Sequence, residues 1–107
     1  FRGSAADTCT LDGTNNSIVV AMRHLSLATN VNGVSGDVIY GSDQGAKPKI
    51  VGINTSGECI EVITNTELGD FRPLAMEVRT IGGEDHLFAS GRWYSGGWKS
   101  RFFTKNL

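Results

Sequence analysis

Two runs of β-branched residues stand out in the middle of the chain, separated by the polar tetrapeptide Asn-Thr-Ser-Gly. The runs are Ile50–Ile53 and Ile60–Thr64, and the residue types between them favour a tight reversal. This pattern predicts a β-hairpin over residues 47–64. Lys47 and Lys49 lie at its entrance, and Cys59 lies on its second strand.

Apolar residues at helical spacing predict two helices. The first begins after Asn16 or Ser17, and its stripe consists of Ile18, Ala21 or Met22, Leu25 and Ala28. The run Ile-Val-Val favours a strand instead, because β-branched residues lose rotamer freedom in a helix. The second helix begins at Asp70, has Pro73 in its first turn and ends at Gly82-Gly83. Its apolar face consists of Phe71, Leu74, Ala75, Val78 and Ile81.

The C-terminal residues alternate as strands do, around a turn at Ser95-Gly96-Gly97. In the last strand one face can pack, and it carries Trp98, Ser100, Phe102 and Thr104. The opposite face is mostly basic and carries Lys99, Arg101, Phe103 and Lys105. A short strand is also predicted at Asp37–Tyr40.

The order of these elements predicts an α+β fold in a single domain over residues 1–107. We expect an α/β sandwich in which two helices pack on one face of an antiparallel sheet of about five strands. The composition, 39% hydrophobic and 20% charged, is that of a globular domain. No apolar run approaches the roughly 20 residues that span a bilayer, so no membrane span is predicted.

Two cysteines, Cys9 and Cys59, lie fifty residues apart, too far for a redox or zinc pair. In a secreted domain they most simply form a disulfide, whereas in a cytosolic protein they would be buried free thiols. The start at Phe1 without methionine indicates either a removed leader or a cloning remnant at residues 1–4. Glycosylation sequons at Asn15 and Asn54 add little, because about one match is expected by chance.

Charge is unevenly distributed along the chain. From Arg92 onward there are four cations and no acid, which leaves −5 on the first 91 residues of a chain with net charge −1. Arg92, Lys99 and Arg101 beside Trp93 could contact phosphate, sugar or a membrane surface, or could simply form a solvated strand face. At a pI of about 6.1, no dedicated nucleic-acid binding is expected.

Catalytic and metal-ligating patterns are weak. A small ribonuclease would need a carboxylate and a histidine flanking a phosphate that an arginine holds. His86 could serve with Glu58 or Glu61 and with Arg79 or Arg92, but this spacing is unspecific. His24, beside the first apolar stripe, is expected to be partly buried and structural. We predict no catalytic residue, no metal site and no cofactor.

The segment Arg2-Gly3-Ser4 followed by Cys9 resembles the opening of a secreted killer-toxin family, typified by the virally encoded toxin of smut fungi (killer protein four). The lysine-bearing strand 47–52, the strand with Cys59, the segment 71–74 and the closing strand pair follow the same pattern. Family members are cysteine-rich, whereas this chain has Phe1 where their first cysteine stands.

The resemblance implies an α/β sandwich, secretion and inhibition of fungal growth through interference with calcium entry. A lysine important for toxicity in that family falls nearest Lys49, with Lys47 as the alternative. We therefore predict a secreted, monomeric, non-enzymatic toxin or effector, antifungal or virulence-related, that binds a cell-surface protein such as a calcium channel, or an anionic surface. The predicted contact residues are Lys47 and Lys49, followed by Arg92, Trp93, Lys99 and Arg101. The alternatives are a small secreted ribonuclease and a glycan-binding module that uses Trp93 or Trp98.

Overall fold

Nine strands and one four-residue helix make up the part of the chain that the computed structural model describes, residues 8–11, 14–17, 23–43, 49–69 and 71–107. In chain order they are β1 Thr8–Leu11, β2 Thr14–Ser17, β3 Arg23–Ala28, β4 Val38–Asp43, β5 Lys49–Asn54, β6 Cys59–Ile63, α1 Asn65–Leu68, β7 Arg72–Ile81, β8 Glu84–Tyr94 and β9 Trp98–Asn106.

The strands form three antiparallel sheets: β1–β2, β3–β4–β5–β6 and β7–β8–β9. The predicted α+β fold, with two helices packed on one face of a sheet, is therefore wrong. Within the described ranges only α1 is helical, and it is a single turn between β6 and β7. The described architecture is almost entirely β.

The first predicted helix is replaced by strands where the structure describes it. Ser17 ends β2, and the second half of the predicted stripe lies in β3, which pairs with β4. Residues 18–22 lie outside the described ranges. Ala28 is buried, but Leu25 is 44% exposed, so the stripe does not share one buried face.

The second predicted helix is strand β7. Its residues also alternate with period two, because Met76 and Val78 pack against the core while Glu77 and Arg79 are exposed. The glycines expected to end a helix, Gly82-Gly83, instead join β7 to β8 as a two-residue turn with φ of 61° and 82°. Positive φ at both positions is the signature of a tight hairpin turn. Asp70, the predicted cap, lies outside the described ranges.

Both predicted hairpins are confirmed, as is the strand at Asp37–Tyr40, which is observed as β4. In the β5–β6 turn, the Asn54 side-chain oxygen accepts hydrogen bonds from the Ser56 and Glu58 amides at 3.0 and 2.9 Å. Gly57 has φ of 84°, a left-handed conformation that disfavours other residues. The turn chemistry in the sequence therefore located this reversal correctly.

The four-stranded and three-stranded sheets share one apolar core. The first contributes Val38, Tyr40, Ile50 and Ile63, and the second contributes Leu87 and Ala89, joined by Phe71 and Leu107. Strand β3 lies against β7, where the Val78 amide donates to the Ser26 hydroxyl at 3.0 Å. This face of the three-stranded sheet, the inner face, packs against the core through Leu87, Ala89 and Phe103.

A charged network also joins the two sheets. The buried Tyr40 hydroxyl donates to Glu61 at 2.9 Å, and Lys105 contacts Glu61 at 3.1 Å and Glu67 at 2.7 Å. Burial acts to lower the pKa of Lys105, but its bonds to the two carboxylates outweigh burial and raise it. The predicted face of β9 that holds Lys105 therefore points inward.

Gly91 fixes the contact between β8 and β7. A methyl group at this position would overlap the Arg72 carbonyl oxygen and would lie 2.6 Å from the ring of Phe71. The register of β7 shifts between Pro73 and Ala75 beside this contact. Proline is tolerated there because β7 lies at the edge of its sheet and the pairing is irregular.

Candidate binding face of the three-stranded sheet

The register of the β7–β8–β9 sheet determines which side chains share a surface. Directly paired residues of antiparallel strands lie on the same face, and successive residues lie on opposite faces. Leu87 and Ala89 are buried in the core, so the alternate residues of β8, from His86 to Tyr94, point away from it. Their partners in β9 do likewise. We call this side, with Ala75, Glu77 and Arg79 of β7, the outer face.

Large rings are exposed on the outer face. The exposed fractions are 56% for Trp98, 63% for Tyr94 and 72% for Phe102. The prediction that the face of β9 with Trp98 and Phe102 packs was therefore wrong. The opposite face packs, because Phe103 is the aromatic residue that lies against the core. A folded chain rarely leaves several neighbouring rings in water unless that surface binds something.

Cations stack on both tryptophans at the end of the β8–β9 hairpin. Arg92 lies 4.5 Å from the centre of the Trp98 ring, while Arg101 and Lys99 lie 5.1 and 5.7 Å from the centre of the Trp93 ring. The Tyr94 ring meets Trp98 edge-on, at 5.4 Å between centroids. The four predicted tail residues, Arg92, Trp93, Lys99 and Arg101, therefore all lie at the end of this hairpin. Alternation places Arg92 on the outer face with Trp98 and the other three on the inner face.

Two shallow grooves adjoin the ring of Phe102. One, of about 360 Å³, is lined by Ala75, Met76, Glu77, Phe88, Ser90 and Phe102. The other, of about 460 Å³, is lined by Leu74, Ser90, Gly91, Ser100, Arg101 and Phe102. Both have Ser90 and Phe102 in their walls, so the outer face offers a ring flanked on two sides by space for a flat ligand.

At the opposite end of the outer face, three polar residues are neighbours. Arg79 is paired directly with His86 across β7 and β8, and its guanidinium contacts the Glu77 carboxylate at 2.9 Å. The sequence had suggested His86 and Arg79 together with Glu58 or Glu61. Glu61 is instead bound to Tyr40 and Lys105 in the four-stranded sheet, and Glu58 follows the β5–β6 turn. Glu77 was missed because residue 77 was assigned to a helix.

Of the two leading candidate lysines the structure describes Lys49, which is not part of the outer face. Lys47 lies outside the described residues. Lys49 is half-buried at the start of β5, where it pairs with Asp43 in the four-stranded sheet. His24, expected to be partly buried on a helix, is exposed in β3 with φ of 53°, where the register between β3 and β4 shifts.

The cysteines lie on neighbouring elements. Strand β1, which contains Cys9, packs against β6, which begins with Cys59, and no free cysteine occurs in the described part of the chain. Both observations support the predicted pairing. The disulfide stays a prediction, because the structure does not describe the Cys9 side chain.

Asp85 is a buried carboxylate that sequence reasoning overlooked. Only 1% exposed, it accepts hydrogen bonds from the Thr80 hydroxyl at 2.6 Å and from the Thr29 and Asn30 amides at 2.7 and 2.8 Å. The bond from Thr80 is the main reason that its pKa lies below the usual value, because burial acts the other way. The sequence does contain a signal for this burial, because Asp85 lies on the same face of its strand as the core residues Leu87 and Ala89. Its role is to tie the segment after β3 to the β7–β8 hairpin.

Among the residues that the structure describes, no group of three or more potential ligands is arranged to hold a metal ion. None of their helices is long and apolar enough to cross a membrane. No family model, curated protein or solved structure matches the chain. The function is therefore argued from the outer face itself.

Proposed function

We propose that this protein binds single-stranded nucleic acid along the outer face of its three-stranded sheet. The observation that carries this proposal is the row of exposed rings, Trp98, Tyr94 and Phe102, on one face of a sheet with a cation stacked on Trp98. Single-stranded bases stack on such rings, and neighbouring arginines and lysines contact the phosphates. Stacking is tolerant of sequence, because every base has a flat face.

The charge distribution supports an anionic ligand. Residues 72–107 contain six cations and three acids, a balance of +3, while residues 1–71 contain four cations and eight acids, a balance of −4. The pI of about 6.1 is an average over these two parts and conceals the basic one. The basic part is the part that carries the exposed rings. On the outer face itself the arginines are Arg79 and Arg92, and local positive charge attracts polyanions even when the whole chain is weakly acidic.

The proposal is tested by fluorescence anisotropy with a labelled 2′-O-methyl RNA of about 12 nucleotides, within the length range that such surfaces occupy. Trp98→Ala and Phe102→Ala are each expected to weaken binding roughly 5- to 150-fold, the value of one stacked base. Leu27→Ala is the matched control, because Leu27 is a 54% exposed apolar residue on β3 of the other large sheet. It should bind like the wild type.

Salt dependence provides a second readout. If Arg79 and Arg92, the arginines of the outer face, each neutralise one phosphate, the slope of log K against log salt is about −1.4, and Arg92→Gln reduces its magnitude by about 0.7. Failure of the wild type to bind RNA, or unchanged binding by Trp98→Ala, would overturn the proposal. Binding of a polyuronate but not of RNA would also overturn it, and would favour the glycan-binding alternative.

The toxin or effector hypothesis remains a separate proposal. The α/β sandwich that the resemblance implied is not the fold observed, so this support for growth inhibition is gone. Its direct test is the double variant Lys47→Gln, Lys49→Gln in a fungal growth assay. Unchanged inhibition by the variant would exclude the lysine mechanism, and secretion stays a prediction that the disulfide would support.

A further inference from the structure

From the cluster at the far end of the outer face, we infer that Glu77, Arg79 and His86 cleave RNA. This inference rests on the proposed function, since the same face would hold the substrate. Arg79 and His86 are a direct cross-strand pair, and Glu77 is the diagonal neighbour of His86, since it pairs with Phe88 two residues further along β8. Diagonal neighbours on antiparallel strands are roughly 7–8 Å apart, so Glu77 and His86 both neighbour Arg79, Glu77 on the same strand and His86 on the opposite one.

The groove beside Glu77 provides a place for a base. Its walls include the rings of Phe88 and Phe102 and the Glu77 side chain, around a volume of about 360 Å³. A nucleobase stacked on Phe102 would place its ribose near Glu77 and its 3′-phosphate near Arg79. The rings of Phe88 and Phe102 therefore lie beside Glu77 on the outer face. An ion pair formed by chance at the surface would not need to lie next to exposed rings.

The existing contact between Glu77 and Arg79 is compatible with this role. The two side chains are 61% and 67% exposed, and an exposed ion pair contributes little to stability. An incoming phosphate can therefore replace the Glu77 carboxylate as the partner of the Arg79 guanidinium at a small cost in free energy. The exchange leaves Glu77 without its cation and next to the ribose, which is where a general base is needed.

The reaction is an internal transfer that needs no co-reactant. Glu77 accepts the proton of the ribose 2′-hydroxyl, and the 2′-oxygen attacks the adjacent phosphorus. The bond from phosphorus to the 5′-oxygen of the next nucleotide breaks, and protonated His86 supplies a proton to that leaving oxygen. Arg79 contacts the non-bridging oxygens, where charge accumulates in the transition state. The products are a 2′,3′-cyclic phosphate and a free 5′-hydroxyl.

The test is incubation of the purified protein with unmodified RNA and with 2′-O-methyl RNA of the same sequence, followed by mass spectrometry of the fragments. We expect cleavage of the first alone, with ends 18 mass units lighter than a linear phosphate, the mass of one water. His86→Gln and Glu77→Gln are each expected to lose about 100-fold or more in rate. Asp37→Asn is the control, because Asp37 is an exposed acid that precedes β4 of the other large sheet, and its rate should be unchanged.

Binding of each variant to 2′-O-methyl RNA shows whether the protein is still folded and whether the face still works. Wild type that binds this RNA but does not cleave the unmodified form overturns the inference and leaves the proposed function standing. Cleavage at an equal rate by His86→Gln overturns the assignment of these residues. A wild-type protein that neither binds 2′-O-methyl RNA nor cleaves unmodified RNA overturns both proposals.

Discussion

The guanidinium of Arg92 lies 4.5 Å from the centre of the Trp98 ring, diagonally across the β8–β9 hairpin. The contact holds one face of the indole against a cation while 56% of the side chain stays accessible. Both groups are thereby held in place before a ligand arrives, and a preorganised pair loses less entropy on binding. The pair is the best-defined element of the proposed nucleic-acid face.

The first prediction concerns the contribution of this pair to the fold. Arg92→Ala should lower the free energy of unfolding by only about 0.5–1 kcal/mol, the value of an exposed cation–π contact. It should also change the near-ultraviolet circular dichroism, because the Trp98 ring loses its fixed neighbour. Denaturant unfolding measures the first effect. A loss of several kcal/mol would show that Arg92 is mainly structural.

The second prediction concerns Asp85. Asp85→Asn should destabilise the fold by about 2–4 kcal/mol, because it breaks a buried charged set of hydrogen bonds. The folded-state pKa of Asp85 is lowered, so its contribution is fully present above its unfolded pKa of about 3.9 and is lost as pH falls through the lower folded value. Unfolding curves of wild type and variant should therefore converge in acid. Asp37→Asn, at an exposed aspartate, is the control and should change stability by less than about 0.5 kcal/mol.

The third prediction concerns Tyr40. Burial, and then its bond to the Glu61 carboxylate, raise the pKa of this phenol far above its usual value. Since the chain has two tyrosines, a Tyr94→Phe variant isolates Tyr40. The absorbance of the Tyr40 phenolate should appear only when the protein unfolds in alkali, and circular dichroism monitors that unfolding. Titration of the phenol while the protein remains folded would contradict the buried hydrogen bond.

The fourth prediction concerns the cysteines. If Cys9 and Cys59 are paired, alkylation without reductant should leave the mass unchanged, and reduction should destabilise the protein by about 4 kcal/mol for a loop of fifty residues. Cys9→Ser, Cys59→Ser should match the reduced protein in stability. Two alkylated thiols in the unreduced protein would remove the disulfide and, with it, the main argument for secretion.

Turn chemistry made two hairpins predictable from the sequence. Asn-Thr-Ser-Gly and Ser-Gly-Gly lie between alternating runs, and local backbone preferences largely determine such reversals. Gly82-Gly83 carried the same signal but was assigned to a helix end, because apolar residues at 71, 74, 75, 78 and 81 satisfy helical spacing. Pairing with β8 decides the conformation of β7, and non-local pairing of this kind overrides local propensity.

The orientation of β9 could not be deduced from alternation alone. Phe102 and Phe103 are adjacent, so either face of the strand carries an aromatic residue. Which face packs depends on the side from which the four-stranded sheet covers β8, where Leu87 and Ala89 are buried. That Arg92, Trp93, Lys99 and Arg101 lie at one end of the hairpin was foreseeable, because these residues flank a predicted turn. Alternation places Arg92 on the opposite face from the other three.

The most direct test of the central claim is a two-dimensional amide NMR titration with 2′-O-methyl RNA. The account predicts that shifts concentrate at outer-face residues such as Phe88, Tyr94, Trp98 and Phe102, while Val51 and Ile63 of the four-stranded sheet do not respond. Shifts confined to the four-stranded sheet, or none at saturating RNA, would contradict the claim that the exposed rings bind nucleic acid.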